Sequence, residues 1–152
     1  MPVKGSCHCG NTQFEVSEAA AGVTRCTCSF CSKSGALWAY YKPAQFRLTS
    51  PVENVATYRW GSRTVQHHFC ANCGCGTYSE SPDWSTGQAD FSKMKVGVNA
   101  WLFDDFNPDV VPVTVIDGKN LVMIGKLSAA RSTPGRDRWR LPPHAACGPP
   151  RP

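Results

Sequence analysis

The chain has 152 residues, 41% apolar and 18% charged, which suits one globular domain and excludes a charge-driven disordered chain for most of the length. No apolar run approaches the ~20 residues that a helical membrane span needs. The net charge of +5 is uneven: residues 1–127 carry eleven Lys/Arg against ten Asp/Glu, and residues 128–152 carry five Arg against Asp137.

Met1-Pro2-Val3-Lys4-Gly5 reaches Cys7 without an apolar stretch, so a cytoplasmic protein with no secretory leader is expected. Alternation predicts a strand over Thr12–Val16, and Ala19–Val23 has room for a short helix. Ala36–Tyr41 reads as β. Val55–Arg59 and Thr64–Phe69 read as two strands joined at Trp60-Gly61-Ser62. Gly76–Glu80 and Met94–Asn99 follow, then a possible site for a second short helix at Asn99–Phe106. Val113–Ile116 leads through an Asp117-Gly118 turn to Leu121–Ile124. The expected fold is all-β: a single domain of small antiparallel sheets over residues 1–127, with metal crosslinks supplementing a modest core. Residues 128–152 hold six of the twelve prolines and show no period of 2 or 3.6. They predict an extended or disordered Pro/Arg-rich tail in which Trp139 and Leu141 are docking candidates and Cys147 is a free thiol.

Nine cysteines in a chain expected to occupy a reducing compartment point to metal rather than disulfides. Eight fall into three clusters: Cys7-His8-Cys9, Cys26-Thr27-Cys28-Ser29-Phe30-Cys31 and Cys70-Ala71-Asn72-Cys73-Gly74-Cys75. A C-x-x-C step followed by glycine turns two sulfurs inward, and Cys7 with Cys9 makes a second half-site. Together Cys7, Cys9, Cys70 and Cys73 are expected to form a closed, structural four-sulfur zinc site. The middle cluster offers three sulfurs and no adjacent fourth. Two readings stand: a catalytic zinc with an open position, or a second structural zinc closed by Cys75 or a histidine. Seven or eight thiolates around two Zn²⁺ would add about −3 to −4 of charge, leaving the body mildly acidic and nucleic acid a poor partner.

The stretches GSCHCGNTQFEV, RCTCSFCSKSGALWAYYKPAQFRL, HHFCANCGCGTY and VNAWLFDDFNPDVVPVTVIDGKN resemble the glutathione-dependent formaldehyde-activating enzyme / centromere protein V family, from about Gly5 to Asn120. The resemblance implies several coiled sheets around two zinc ions. It also implies carbon–sulfur lyase chemistry, in which a thiol such as glutathione adds reversibly to a small aldehyde such as formaldehyde. By motif, Cys7, Cys9, Cys70 and Cys73 match the family's structural ligands, and Cys26, Cys28 and Cys31 match its catalytic ones. Cys75 departs from the family pattern and is read as a bystander in a glycine-flanked turn.

His67 and His68 are expected on opposite faces of a strand, one near the structural site and the other on the surface. Arg25, Lys33 and Lys42 are candidates for orienting a carboxylate-bearing substrate. Trp38, Tyr40 and Tyr41 are read as core or sheet-face residues, and Asp104 with Asp105 as a solvated turn. The rival to the enzyme is a zinc-stabilised binding module that uses its basic tail on an acidic partner.

Overall fold

The computed structural model describes residues 1–120. Leu121–Ile124, the tail with Trp139 and Leu141, and Cys147 lie outside the described residues. Among the described residues, ten strands form two sheets. The smaller has the order β1-β2-β5, from Val3–Ser6, Gln13–Val16 and Phe46–Leu48. The larger runs β10-β3-β4-β9-β8-β7-β6. Its strands in chain order are β3 Val23–Cys26, β4 Trp38–Tyr41, β6 Val55–Tyr58, β7 Gln66–Cys70, β8 Gly76–Asp83, β9 Asp90–Asn99 and β10 Val113–Ile116. The all-β expectation holds, with one difference: β10 pairs with β3 in parallel, Ile116 opposite Cys26.

The two stretches with room for a short helix form no α-helix. Val23 opens a strand, and Asn99–Phe106 contains only a 3-10 turn at Ala100–Leu102. The helix that does form, α1 at Ser29–Ser34, lies inside the middle cysteine cluster. Among the described residues no helix is long and apolar enough to cross a membrane.

Alternation along the strands sorts side chains to two faces of the large sheet. Ala39, Tyr41, Tyr78, Val96 and Val98 meet Phe14 and Val16 of β2 in the main core, with Phe103 edge-on to Phe14 at 5.9 Å. The opposite face carries a cross-strand row, Tyr40, Gly97, Ser79, His67 and Tyr58, with Trp38 beside it. Gly97 makes room in that row: a Cβ there would stand 2.9 Å from Ser79 Oγ and 3.1 Å from Tyr40 Cε1. Helix α1 and the middle cysteines pack on this second face, where Cys31, Ala36 and Trp38 form a small cluster of their own.

Candidate functional site

The structure gathers the sulfurs of Cys7, Cys9, Cys70 and Cys73 within 4.8 Å of one another. They come from the β1–β2 connection and from the end of β7 with its following turn, sixty-one residues apart between Cys9 and Cys70. Gly10 and Gly74 take φ of +75° and +76°, the left-handed conformation that closes each cysteine turn and favours glycine. The Cys7–Cys9 and Cys9–Cys70 sulfur separations are 3.6 and 3.7 Å. Four sulfurs at 2.3 Å from one tetrahedral ion are spaced by ~3.8 Å, so these two separations match such an ion. The Thr12 amide donates to Cys7 Sγ at 3.2 Å and the Cys73 amide to Cys70 Sγ at 3.5 Å. Burial pushes the Cys7 thiol up to about 11. Burial also opposes ionisation of Cys70, but the Cys73 amide, Thr12 and the Asn72 amide outweigh it and bring that thiol down to about 6.

The second group, Cys26, Cys28 and Cys31, has the same 4.8 Å closeness, and among the described residues no fourth cysteine, histidine or carboxylate joins it. Cys26 ends β3, Cys28 caps α1 and Cys31 lies on the helix's buried side. Each sulfur has an N–H donor. The Cys28 amide reaches Cys26 Sγ at 3.4 Å, the Cys31 amide reaches Cys28 Sγ at 3.4 Å, and the Trp38 indole N–H reaches Cys31 Sγ at 3.3 Å. The Cys31 thiol, with the Cys28 and Gly118 amides, holds Cys26 down at about 6 against burial. Cys31 is correspondingly pushed up, by Cys26 and by burial. The trio thus carries a readily formed thiolate at Cys26 beside the Cys31 thiol, which holds its proton, and cation binding would release that proton. Both groups can hold a metal ion.

A clasp that the sequence reading took for a plain turn closes the trio from the β10 side. The Thr27 amide donates to Ile116 O at 3.0 Å and the Thr27 hydroxyl to Asp117 Oδ1 at 3.0 Å. The Lys119 amide donates back to Thr27 Oγ1 at 3.3 Å. This brings Gly118 onto Cys26 and Cys28 so closely that a Cβ there would overlap Cys26 Sγ and stand 3.0 Å from Cys28 Cβ. The Asp-Gly pair was visible as a turn signal; its contact with the cysteines was not. Trp38 is buried, as expected of a core residue, and its indole also orients Cys31.

The remaining candidates scatter. Cys75 joins neither group; its carbonyl accepts from the Cys70 amide at 2.9 Å. His8 is exposed. His67 and His68 do face opposite ways, but neither hydrogen-bonds a cysteine of the four-sulfur group. His68 bridges Thr57 and Glu80 on the core side. His67 is stacked 4.0 Å from Phe30 of α1, because β7 runs beneath the helix. Arg25, Lys33 and Lys42 are all exposed, and only Lys33 sits on α1. Asp104 and Asp105 are exposed, as expected of a turn.

A family model described as glutathione-dependent formaldehyde-activating enzyme matches residues 2–114. A crystal structure of a Rhodobacter sphaeroides protein aligns at a TM-score of 0.58 and 34% identity, covering 73% of this chain and 99% of that one.

Proposed function

The chain belongs to the glutathione-dependent formaldehyde-activating enzyme family, and on that premise we propose that it is a zinc-dependent carbon–sulfur lyase. It joins a glutathione-like thiol reversibly to a small aldehyde such as formaldehyde, giving an S-hydroxymethyl adduct. In this reading the chain takes two zinc ions, one structural on Cys7, Cys9, Cys70 and Cys73 and one catalytic on Cys26, Cys28 and Cys31. The observation that carries it is the donor count, four sulfurs in one group and three in the other. Four thiolates complete a tetrahedral shell, whereas three leave room for one more donor. A zinc ion held by the trio would supply acidification of a thiol at neutral pH.

The chain's own residues supply position and charge. The Cys28 and Cys31 amides and the Trp38 indole donate to the three sulfurs, which favours their anionic form and fixes their direction. The Thr27–Asp117 clasp and Gly118 keep the β10 side of the loop in place. In the reaction the thiol sulfur bonds to the carbonyl carbon, and the C=O π pair moves to oxygen. The proton that left sulfur ends on that oxygen, and the reverse step returns both reactants. Cys26 and Cys28 are only partly buried, so solvent reaches the site and carries the proton. Free thiols in both groups suit a reducing compartment, and the cytoplasm is the proposed location.

The test is Cys28→Ser. The zinc-loaded wild type accelerates adduct formation from glutathione and formaldehyde above the spontaneous rate. The variant loses that acceleration, keeps one zinc per chain and retains its strand circular dichroism. Wild-type turnover in the variant, or no acceleration by the wild type, overturns the proposal.

A further inference from the structure

Helix α1 presents Cys31 to the sheet and turns its other side to a groove. Ser29, Phe30, Lys33 and Ser34 of the helix line it, with Tyr58 from the end of β6 and Trp60 just beyond. The cavity volume is about 340 Å³. Phe30 is stacked with both aromatic residues, 5.8 Å from Tyr58 at 22° and 6.5 Å from Trp60 at 24°. Tyr58 and Trp60 are nevertheless 48% and 40% exposed, so each keeps part of its side chain open to solvent. Phe30 is the shared wall: like Cys26 and Cys28, it also packs against the cluster of Cys31, Ala36 and Trp38. At the rim, Lys33 has no carboxylate within ion-pair distance among the described residues.

Formaldehyde has only two non-hydrogen atoms and would leave most of such a groove empty. The peptide arm of a glutathione-like thiol fills space but brings several amide groups. Aromatic faces, two serine hydroxyls and one ammonium offer those amides few direct partners. A flat apolar ring stacks on the faces, and an anionic group answers the unpaired cation.

We propose that this groove seats the body of the carbonyl substrate, an aromatic aldehyde bearing a carboxylate, with its ring against Tyr58 and Trp60 and its carboxylate at Lys33. The preferred electrophile is therefore larger than formaldehyde. The inference rests on the proposed thiol addition for its chemistry, and the step is unchanged: sulfur adds to the carbonyl carbon and no oxidant or reductant takes part.

Two measurements on the full-length zinc-loaded chain test it. The first compares glutathione addition to 4-carboxybenzaldehyde and to benzaldehyde. The acid is expected to show at least tenfold higher kcat/KM, and Lys33→Met, an exposed substitution, is expected to cut that preference to twofold or less. No preference in the wild type, or a preference kept by the variant, overturns the seat. Turnover of formaldehyde in that same preparation leaves the thiol-addition reading standing. The second measurement needs no reaction: 4-carboxybenzyl alcohol is titrated while the Trp60 indole N–H resonance, assigned with Trp60→Phe, is followed by NMR. A saturable shift, weakened at least tenfold in Lys33→Met, supports the seat even where no aldehyde is turned over, a result that removes only the thiol addition. No shift of the Trp60 resonance overturns the seat.

Discussion

Gly118 lies against Cys26 and Cys28 with no space for a methyl group. Gly118→Ala is expected to push the clasp off the trio and to cost on the order of 1–3 kcal/mol, the usual penalty of forcing atoms into a packed site. Metal analysis should then find one ion per chain with the four-sulfur group still filled, and two ions retained would refute the steric argument. His67 offers a second residue-level test. The Trp60 indole donates to its Nε2 at 3.3 Å, so the neutral ring carries its proton on Nδ1, which is buried without a partner. Burial, aided by the neighbouring His68, lowers its pKa from 6.5 to about 4. The unfolded chain therefore binds the proton more readily across that interval, and stability falls with pH. The contribution is complete above 6.5 and is lost as pH falls towards 4. His67→Phe keeps a ring against Phe30 and removes the titration. Between pH 7 and 5 the wild type should lose more of its denaturant midpoint than the variant, and parallel profiles would sink the assignment.

Among the elements, the strands with alternating Val, Tyr and Thr side chains were legible in the sequence, because half-buried pleats impose that period. Helix α1 was not. Its sequence SFCSKS has too few residues for a helical period and contains serines and cysteine, which are indifferent helix formers. It forms because Cys28 caps it through the Cys31 amide, Gly35 ends it at φ +67°, and Phe30 and Cys31 pack on the sheet. Cysteine spacing revealed which residues converge. It could not reveal Trp38, Gly118 or the Phe30–Trp60 groove, which depend on which strands become neighbours. The parallel β3–β10 pair is the main such case, since it joins residues some ninety positions apart. The Val23 and Thr27 amides donate to the Pro112 and Ile116 carbonyls, so alternation turns Thr114 towards β3 as well. Thr114→Pro removes a ladder N–H from that pair. It should release the Thr27–Asp117 clasp and lower metal affinity at the trio at least tenfold, measured by chelator competition, with the four-sulfur site unchanged. A trio affinity equal to that of the wild type would show that β10 does not support the trio.

For the molecule as a whole, the two cysteine groups occupy different places in the packing. Cys7 and Cys9 lie between the strands of the small sheet's hairpin, and Cys70 and Cys73 at the end of β7, so the four-sulfur group ties one sheet to the other beside the shared core. Cys70 is fully buried, and its backbone anchors the turn at both ends, the amide donating to Cys75 O and the carbonyl accepting from Gly74, each at 2.9 Å. The trio is local: the end of β3, the helix cap and α1, six residues in all, supply its sulfurs, on the face away from the main core. Structural zinc in small peptides binds with ~10–16 kcal/mol of apparent free energy, comparable to the ~5–15 kcal/mol that separates a folded domain from its unfolded chain. Removing a ligand from the inter-sheet tie should therefore cost the fold, whereas removing one from the trio should cost only the site. Cys70→Ser is expected to lose both metals and its cooperative calorimetric transition. Cys28→Ser is expected to keep one metal and a single transition lowered by about 2–8 °C, the range expected for ~1 kcal/mol in domains of ~60–250 residues. If Cys70→Ser instead melts cooperatively with the trio's metal still bound, the β strands are held by their core alone and the four-sulfur group is an accessory to the fold.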